Sequence, residues 1–191
     1  RDLVRSRGLG DVYKRQVYSL DSVRASWLNM LVPVGFVFGA PVFGRVADRM
    51  FQNKVTMLII MLAPKTAIWL ILTYGWHITG LPAMGFMLFL LGALTGGFTT
   101  GLWALVNETT DRKILGSVSG FLNTAPFLGM AVMQMVTGWL LDRAGRGVEG
   151  AYPPEAFQAA FLSCLLVTAG CLALCIGFRK QLARRNPGAP F

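Results

Sequence analysis

The chain has 191 residues, of which 54% are hydrophobic and 14% are charged, and it carries a formal net charge of +9. Soluble globular domains contain about 25% charged residues, so the composition excludes an ordinary soluble domain. The Lys and Arg residues lie between apolar runs, which is typical of membrane topology and argues against a basic nucleic-acid groove.

Five apolar runs are each long enough to cross a bilayer as a helix. They cover about 26–46, 55–76, 81–106, 115–141 and 157–178. A hydrocarbon core of about 30 Å requires roughly 20 helical residues, whereas the strands of a membrane barrel are about half as long and alternate in polarity. The sequence therefore predicts an all-α integral membrane protein with five transmembrane helices.

Residues 1–16, RDLVRSRGLGDVYKRQ, precede the first run and contain five basic residues but no initiating Met. The segment resembles the translated sequencing adapter found at the ends of metagenomic reading frames. We interpret it as a non-native artefact, in which case the natural polypeptide continues upstream. The alternative is a polar loop or a basic amphipathic segment.

The first run ends in GRVADR, which places Gly44, Arg45, Asp48 and Arg49 within six positions. This stretch resembles the G-x-x-x-D-R signature of the major facilitator superfamily, in the weaker form found between helices eight and nine. The resemblance implies a gating motif that closes the cytoplasmic side, with the carboxylate capping a facing helix and the guanidinium groups pairing with acidic partners. The alternative is a set of solvated loop charges that only fix topology.

The second run contains Lys65 directly after Pro64, with no carboxylate at comparable depth. A lysine at the bilayer centre costs roughly 2.5–3.5 kcal/mol on insertion scales. Three interpretations stay open, in this order: the side chain snorkels, it pairs with an acidic residue outside this chain, or it meets an anionic substrate.

Polar residues in the third and fourth runs are the candidates for a solute cavity. Thr95, Thr99 and Trp103 recur at intervals of four and predict a stripe on one helix. The threonines could instead bond back to their own helix. Asn123 and Gln134 are eleven residues apart and share a face, where they could bind a polar solute or a neighbouring helix.

Small residues spaced four apart predict which helices pack closely, because they let backbones approach each other. Such pairs are frequent in the first, third and fourth runs and sparser in the second and fifth. We therefore expect the first, third and fourth helices to be tightly packed and the other two to be peripheral.

The fourth and fifth runs, with the turn and the basic tail that follow them, resemble helices eleven and twelve of the same superfamily. The resemblance covers about residues 20–185 and implies that residues 17–185 are the C-terminal half of a transporter, followed by a tail at 186–191. Helix seven and the N-terminal half of the transporter are then missing partners of this chain.

Basic residues are more frequent at one end of the predicted helices. With residues 1–16 set aside, nine lie on one side and three on the other. The nine are Arg45, Arg49, Lys54, Arg112, Lys113, Arg179, Lys180, Arg184 and Arg185. The positive-inside rule then predicts a cytoplasmic C-terminus. We expect a multi-pass protein of a bacterial inner membrane.

The resemblance predicts a fragment of a secondary active transporter that moves a small polar or ionic solute by alternating access. Whether a proton or another ion is coupled stays open, and no cofactor or metal is expected. An enzyme is not predicted, because the single histidine, His77, falls in a short connection and no catalytic motif is present. The alternative function is a non-transporting membrane scaffold or sensor.

Overall fold

The computed structural model describes residues 22–50, 53–75, 79–145 and 154–185. In the first of these stretches side chains are described for residues 26–46, and in the last for residues 156–181. The segment 1–16, the tail 186–191 and His77 therefore lie outside the described residues, as do the side chains of Asp48 and Arg49.

Five long helices make up the described part of the chain. They are α1 (Ser22–Met50), α2 (Lys54–Tyr74), α3 (Leu81–Thr109), α4 (Leu115–Arg143) and α5 (Pro154–Arg185). Each is long and apolar enough to cross a membrane. The predicted all-α class with five spanning helices is confirmed.

Polar residues and a proline define where the helices begin. The side chain of Asn53 accepts hydrogen bonds from the backbone N–H groups of Val55 and Thr56, at 2.8 and 3.3 Å, and so caps α2. Pro82 lies in the first turn of α3, where a missing N–H costs nothing. Between α3 and α4, the carboxylate of Asp111 accepts from the backbone N–H of Lys113.

Helices α1 and α3 interlock through glycines on both sides of their interface. A methyl group at Gly35 would overlap the carbonyl of Phe89, and one at Gly92 would overlap the carbonyl of Val32. The two backbones are therefore in direct contact, as small-residue pairs in membrane helices permit. The close packing predicted for the first and third helices is confirmed.

Helix α2 lies between α3 and α5 and is not peripheral. It contributes Met61, Ile68 and Leu72 to a buried cluster that also contains residues of α3, α4 and α5. The ring of Trp69 lies 6.0 Å from that of Phe161 on α5. The expectation of a peripheral second helix is wrong, because the large apolar side chains of α2 pack against α5 and against glycines of α3 such as Gly97.

Helix α4 is mostly exposed and packs on α5 near its own carboxyl-terminal end, where Thr137 and Leu141 are buried. A methyl group added at Gly116, Gly120 or Gly129 would meet nothing within 4 Å. The expectation that the fourth helix packs tightly is therefore wrong within the described part of this chain.

Candidate functional site

The predicted gating motif occupies the last turns of α1, beside the end of α3. A methyl group at Gly44 would lie 3.2 Å from the side-chain methyl of Thr100, so the two helices remain close here. The exposed guanidinium of Arg45 donates to the carbonyl of Pro41, one turn earlier, at 3.5 Å. Asp48 and Arg49 belong to the same helix, and their side chains lie outside the described residues.

An ion pair that sequence reasoning missed joins α2 to α3 at the same end of the bundle. The ammonium of Lys54 lies 3.6 Å from a carboxylate oxygen of Glu108, and the lysine side chain is only 9% exposed. The Glu108 side chain is 56% exposed, so the pair lies at the surface of the bundle on one side and is buried on the other. The available signal was that Lys54 begins α2 and Glu108 lies in the last turn of α3, so two consecutive antiparallel helices bring them to the same end.

The threonines of the α3 stripe bond to their own helix. The hydroxyl of Thr95 donates to the carbonyl of Leu91 at 2.6 Å, and that of Thr99 donates to the carbonyl of Thr95 at 2.9 Å. The O–H donors of both threonines are therefore used within their own helix, as the alternative interpretation expected. Each hydroxyl oxygen can still accept a hydrogen bond from a solute. Trp103, two turns after Thr95, is half-buried.

The amides of α4 lie on a face that no other described helix covers. Asn123 and Gln134 are both exposed, and between them Phe127 is 63% and Met130 is 53% exposed. Uncompensated amides facing lipid are costly, so a helix that crosses a membrane requires water, solute or another helix against this face. The face combines amide donors and acceptors with apolar contact area, as a binding site for a small polar solute does.

An open groove of about 410 Å³ lies elsewhere, between the beginnings of α1 and α3. Apolar side chains line it, including those of Leu28, Leu31, Phe86 and Phe89. A polar solute would find no hydrogen-bond partner among these side chains, so we do not assign the solute site to this groove.

Lys65 faces α5 rather than the exposed face of α4. Its side chain is half-buried, and Cys171 and Cys164 of α5 are the titratable groups that interact with it electrostatically. Within the described residues it forms no ion pair with a carboxylate. Lys65 therefore lies against the middle of α5, and the three interpretations of its charge stay predictions.

We expect Lys65→Met to raise the thermal stability of the protein and to leave uptake by the full-length transporter within about twofold of wild type. Methionine has a similar length and no charge to desolvate, so it keeps the packing on α5 and removes the cost of the ammonium. Thermal unfolding in detergent and uptake into proteoliposomes measure the two effects. A loss of uptake that Lys65→Arg restores would instead assign the charge to a solute or to an acidic partner.

The described residues contain no group of three or more His, Cys, Asp and Glu side chains that could hold a metal ion. Cys164, Cys171 and Cys175 are free thiols on α5. Cys164 and Cys175 are half-buried and Cys171 is exposed, and free cysteines commonly act as small apolar side chains.

Vertebrate relatives with an assigned function align with most of this chain. The lysosomal dipeptide transporter MFSD1 of Homo sapiens is 27% identical over 138 residues, which is 72% of this chain and 28% of the relative. The Mus musculus protein of the same name is 26% identical over 167 residues, covering 87% of this chain and 34% of the relative. The chain thus spans about a third of the length of these relatives. No solved structure matches it significantly.

The family comparison covers nearly the whole sequence. Residues 11–190 match the sequence model described as Major Facilitator Superfamily. The match takes in all five helices, the GRVADR stretch at the end of α1 and the exposed amide face of α4. The chain belongs to the Major Facilitator Superfamily.

Proposed function

We propose that the chain is the C-terminal part of a secondary transporter that moves a small polar solute by alternating access, with α1–α5 corresponding to helices eight to twelve of the family. The observation that carries the proposal is the exposed amide face of α4 in a chain of this family. A transporter of this architecture binds its solute near the midplane, between two repeats. The rest of such a transporter would supply the opposite wall of the cavity.

A dipeptide is the proposed class of solute. The vertebrate relatives carry the name of dipeptide transporters, and the chemistry of the α4 face suits such a molecule. An amide side chain both donates and accepts, so Asn123 and Gln134 can each satisfy a peptide group. Phe127 and Met130 can contact apolar side chains of varied size.

Uptake by purified full-length transporter in proteoliposomes tests this assignment. Labelled dipeptides should accumulate, whereas the corresponding free amino acids should neither accumulate nor compete. Imposing a pH gradient in either direction shows whether a proton is coupled. Absence of uptake for dipeptides, amino acids and small ions alike would favour a scaffold or sensor.

We expect Asn123→Ala to raise the KM for dipeptide uptake by roughly three- to tenfold, the effect of losing one hydrogen bond to the solute. Thr124→Val is the matched control at the same depth, because the Thr124 hydroxyl bonds to the carbonyl of Gly120 on its own helix. That variant should keep the wild-type KM. Equal effects of the two substitutions, or none, would remove Asn123 from the cavity.

We also propose that the end of the bundle carrying Arg45, Lys54, Arg112 and Lys113 faces the cytoplasm. The positive-inside rule supports this orientation, which places the carboxyl terminus on the same side. The bacterial inner membrane remains a prediction from the sequence, and the relatives named above are lysosomal. Labelling of single cysteines in intact cells, at position 113 against position 144, tests the orientation.

A further inference from the structure

The carboxyl-terminal end of α5 extends beyond the length that a bilayer core needs. The helix has 32 residues, which is about 48 Å at 1.5 Å per residue, whereas a hydrocarbon core is about 30 Å thick. Its uncharged run ends at Phe178, directly before Arg179 and Lys180. Residues around 179–185 therefore fall at the level of the lipid headgroups or beyond them.

The charged residues at this end of α5 are all basic. The sequence from residue 156 to the end contains four basic residues and no acidic one. The four are Arg179, Lys180, Arg184 and Arg185. Among those with described side chains, Lys180 is exposed and Arg179 is half-buried. A basic cluster next to a membrane span attracts anionic lipid with about 1 kcal/mol per residue in general.

An exposed apolar surface adjoins the basic residues on α5. Leu174 is 74% exposed and Phe178 is 51% exposed, and one turn of helix separates the two. The buried contacts of α5 lie in its first half, at Phe157 and Phe161, so no described helix covers this surface. Ile176 is 37% exposed and lies one turn before Lys180, on the same face of the helix. A phospholipid is the molecule that matches both parts, because its acyl chains suit Ile176 and the neighbouring apolar side chains while its phosphate suits Lys180.

We propose that the carboxyl-terminal end of α5, with Arg179 and Lys180 next to the exposed Ile176 and Phe178, binds anionic phospholipid headgroups of the leaflet at which it emerges. The proposal is independent of the transported solute. It assigns to the charges on α5 a role beyond topology, namely an annular lipid site that selects for headgroup charge.

Native mass spectrometry of the purified full-length protein, released from micelles titrated with POPG or POPC, measures lipid binding directly. We expect POPG to bind more tightly than POPC. The variant R179Q/K180Q should bind POPG about thirtyfold more weakly, at roughly fivefold for each charge. The variant R179K/K180R keeps both charges and should bind POPG as wild type does.

A second pair of residues separates a local site from the general charge of this end of the bundle. Arg112 and Lys113 are exposed in the turn between α3 and α4, so R112Q/K113Q removes the same charge away from α5. We expect this variant to keep wild-type affinity for POPG. The proposal is overturned if the two glutamine variants weaken POPG binding equally, if R179Q/K180Q binds normally, or if wild type does not discriminate POPG from POPC.

Discussion

Gly92→Ala should destabilise the protein by about 3 kcal/mol or more, at or above the usual cost of overpacking a core. The added methyl group would overlap the carbonyl carbon and oxygen of Val32 on α1, and the nitrogen of Phe36 lies only 3.0 Å away. Backbone atoms cannot rotate aside as a side chain can, so α1 and α3 must separate. Replacing a helical glycine by alanine returns only about 1 kcal/mol of helix propensity.

Two matched substitutions turn this expectation into a graded series. Gly129→Ala on α4 places its methyl group where nothing lies within 4 Å, so we expect no loss and a gain of up to about 1 kcal/mol. Gly97→Ala meets the sulfur of Met61 and the ring of Phe43 at 2.8 Å, and these side chains can move, so its cost should be intermediate. Thermal unfolding of the three variants in one detergent provides the ranking. Equal midpoints for Gly92→Ala and Gly129→Ala would contradict the interlocked α1–α3 interface.

The helices were predictable from the sequence because a spanning helix is specified locally. An uncharged run of sufficient length is apolar on every face, and no distant contact is needed to recognise it. Short motifs in the expected order indicated the superfamily. The family match over residues 11–190 confirms that the chain belongs to it.

The packing partners were not predictable in the same way. Glycines four residues apart occur on α3, at Gly92 and Gly96, and on α4, at Gly116 and Gly120. Only the pair on α3 contacts another described helix. The spacing indicates that one face of a helix permits close approach of another helix. Which helix that is depends on how all the helices are arranged. The same reason explains why the Lys54–Glu108 pair was missed.

The residues of the candidate solute cavity could be predicted only in part from the sequence, for a different physical reason. A hydroxyl in a helix can always donate to the carbonyl four residues earlier, so threonines such as Thr95 have a local partner available. An amide in the middle of a membrane helix has no such local option of equal quality. Asn123 and Gln134 are exposed, as most of α4 is, and because they are amides they carry the stronger functional argument.

The second large effect concerns transport rather than stability: Asp48→Asn should reduce uptake by the full-length transporter about tenfold or more, the loss expected when a charge-assisted contact is removed. The family resemblance implies that this carboxylate closes the cytoplasmic side in the outward-open state. Asparagine keeps the shape of the side chain and removes its charge. Expression and thermal stability should stay close to wild type.

Asp111→Asn is the control for charge at the same end of the bundle. Asp111 is exposed in the turn between α3 and α4, where it accepts from the backbone N–H of Lys113, and asparagine can still accept that hydrogen bond. Its uptake should stay within about twofold of wild type. If Asp48→Asn also transports normally, Asp48 is an ordinary topological charge. If both variants fail, the loss follows the net charge of the cytoplasmic end and not the motif. A loss confined to Asp48→Asn would assign a role in the conformational change to the GRVADR stretch. In that case the charge of one carboxylate, at this position and not at Asp111, shifts the balance between the outward-open and inward-open states.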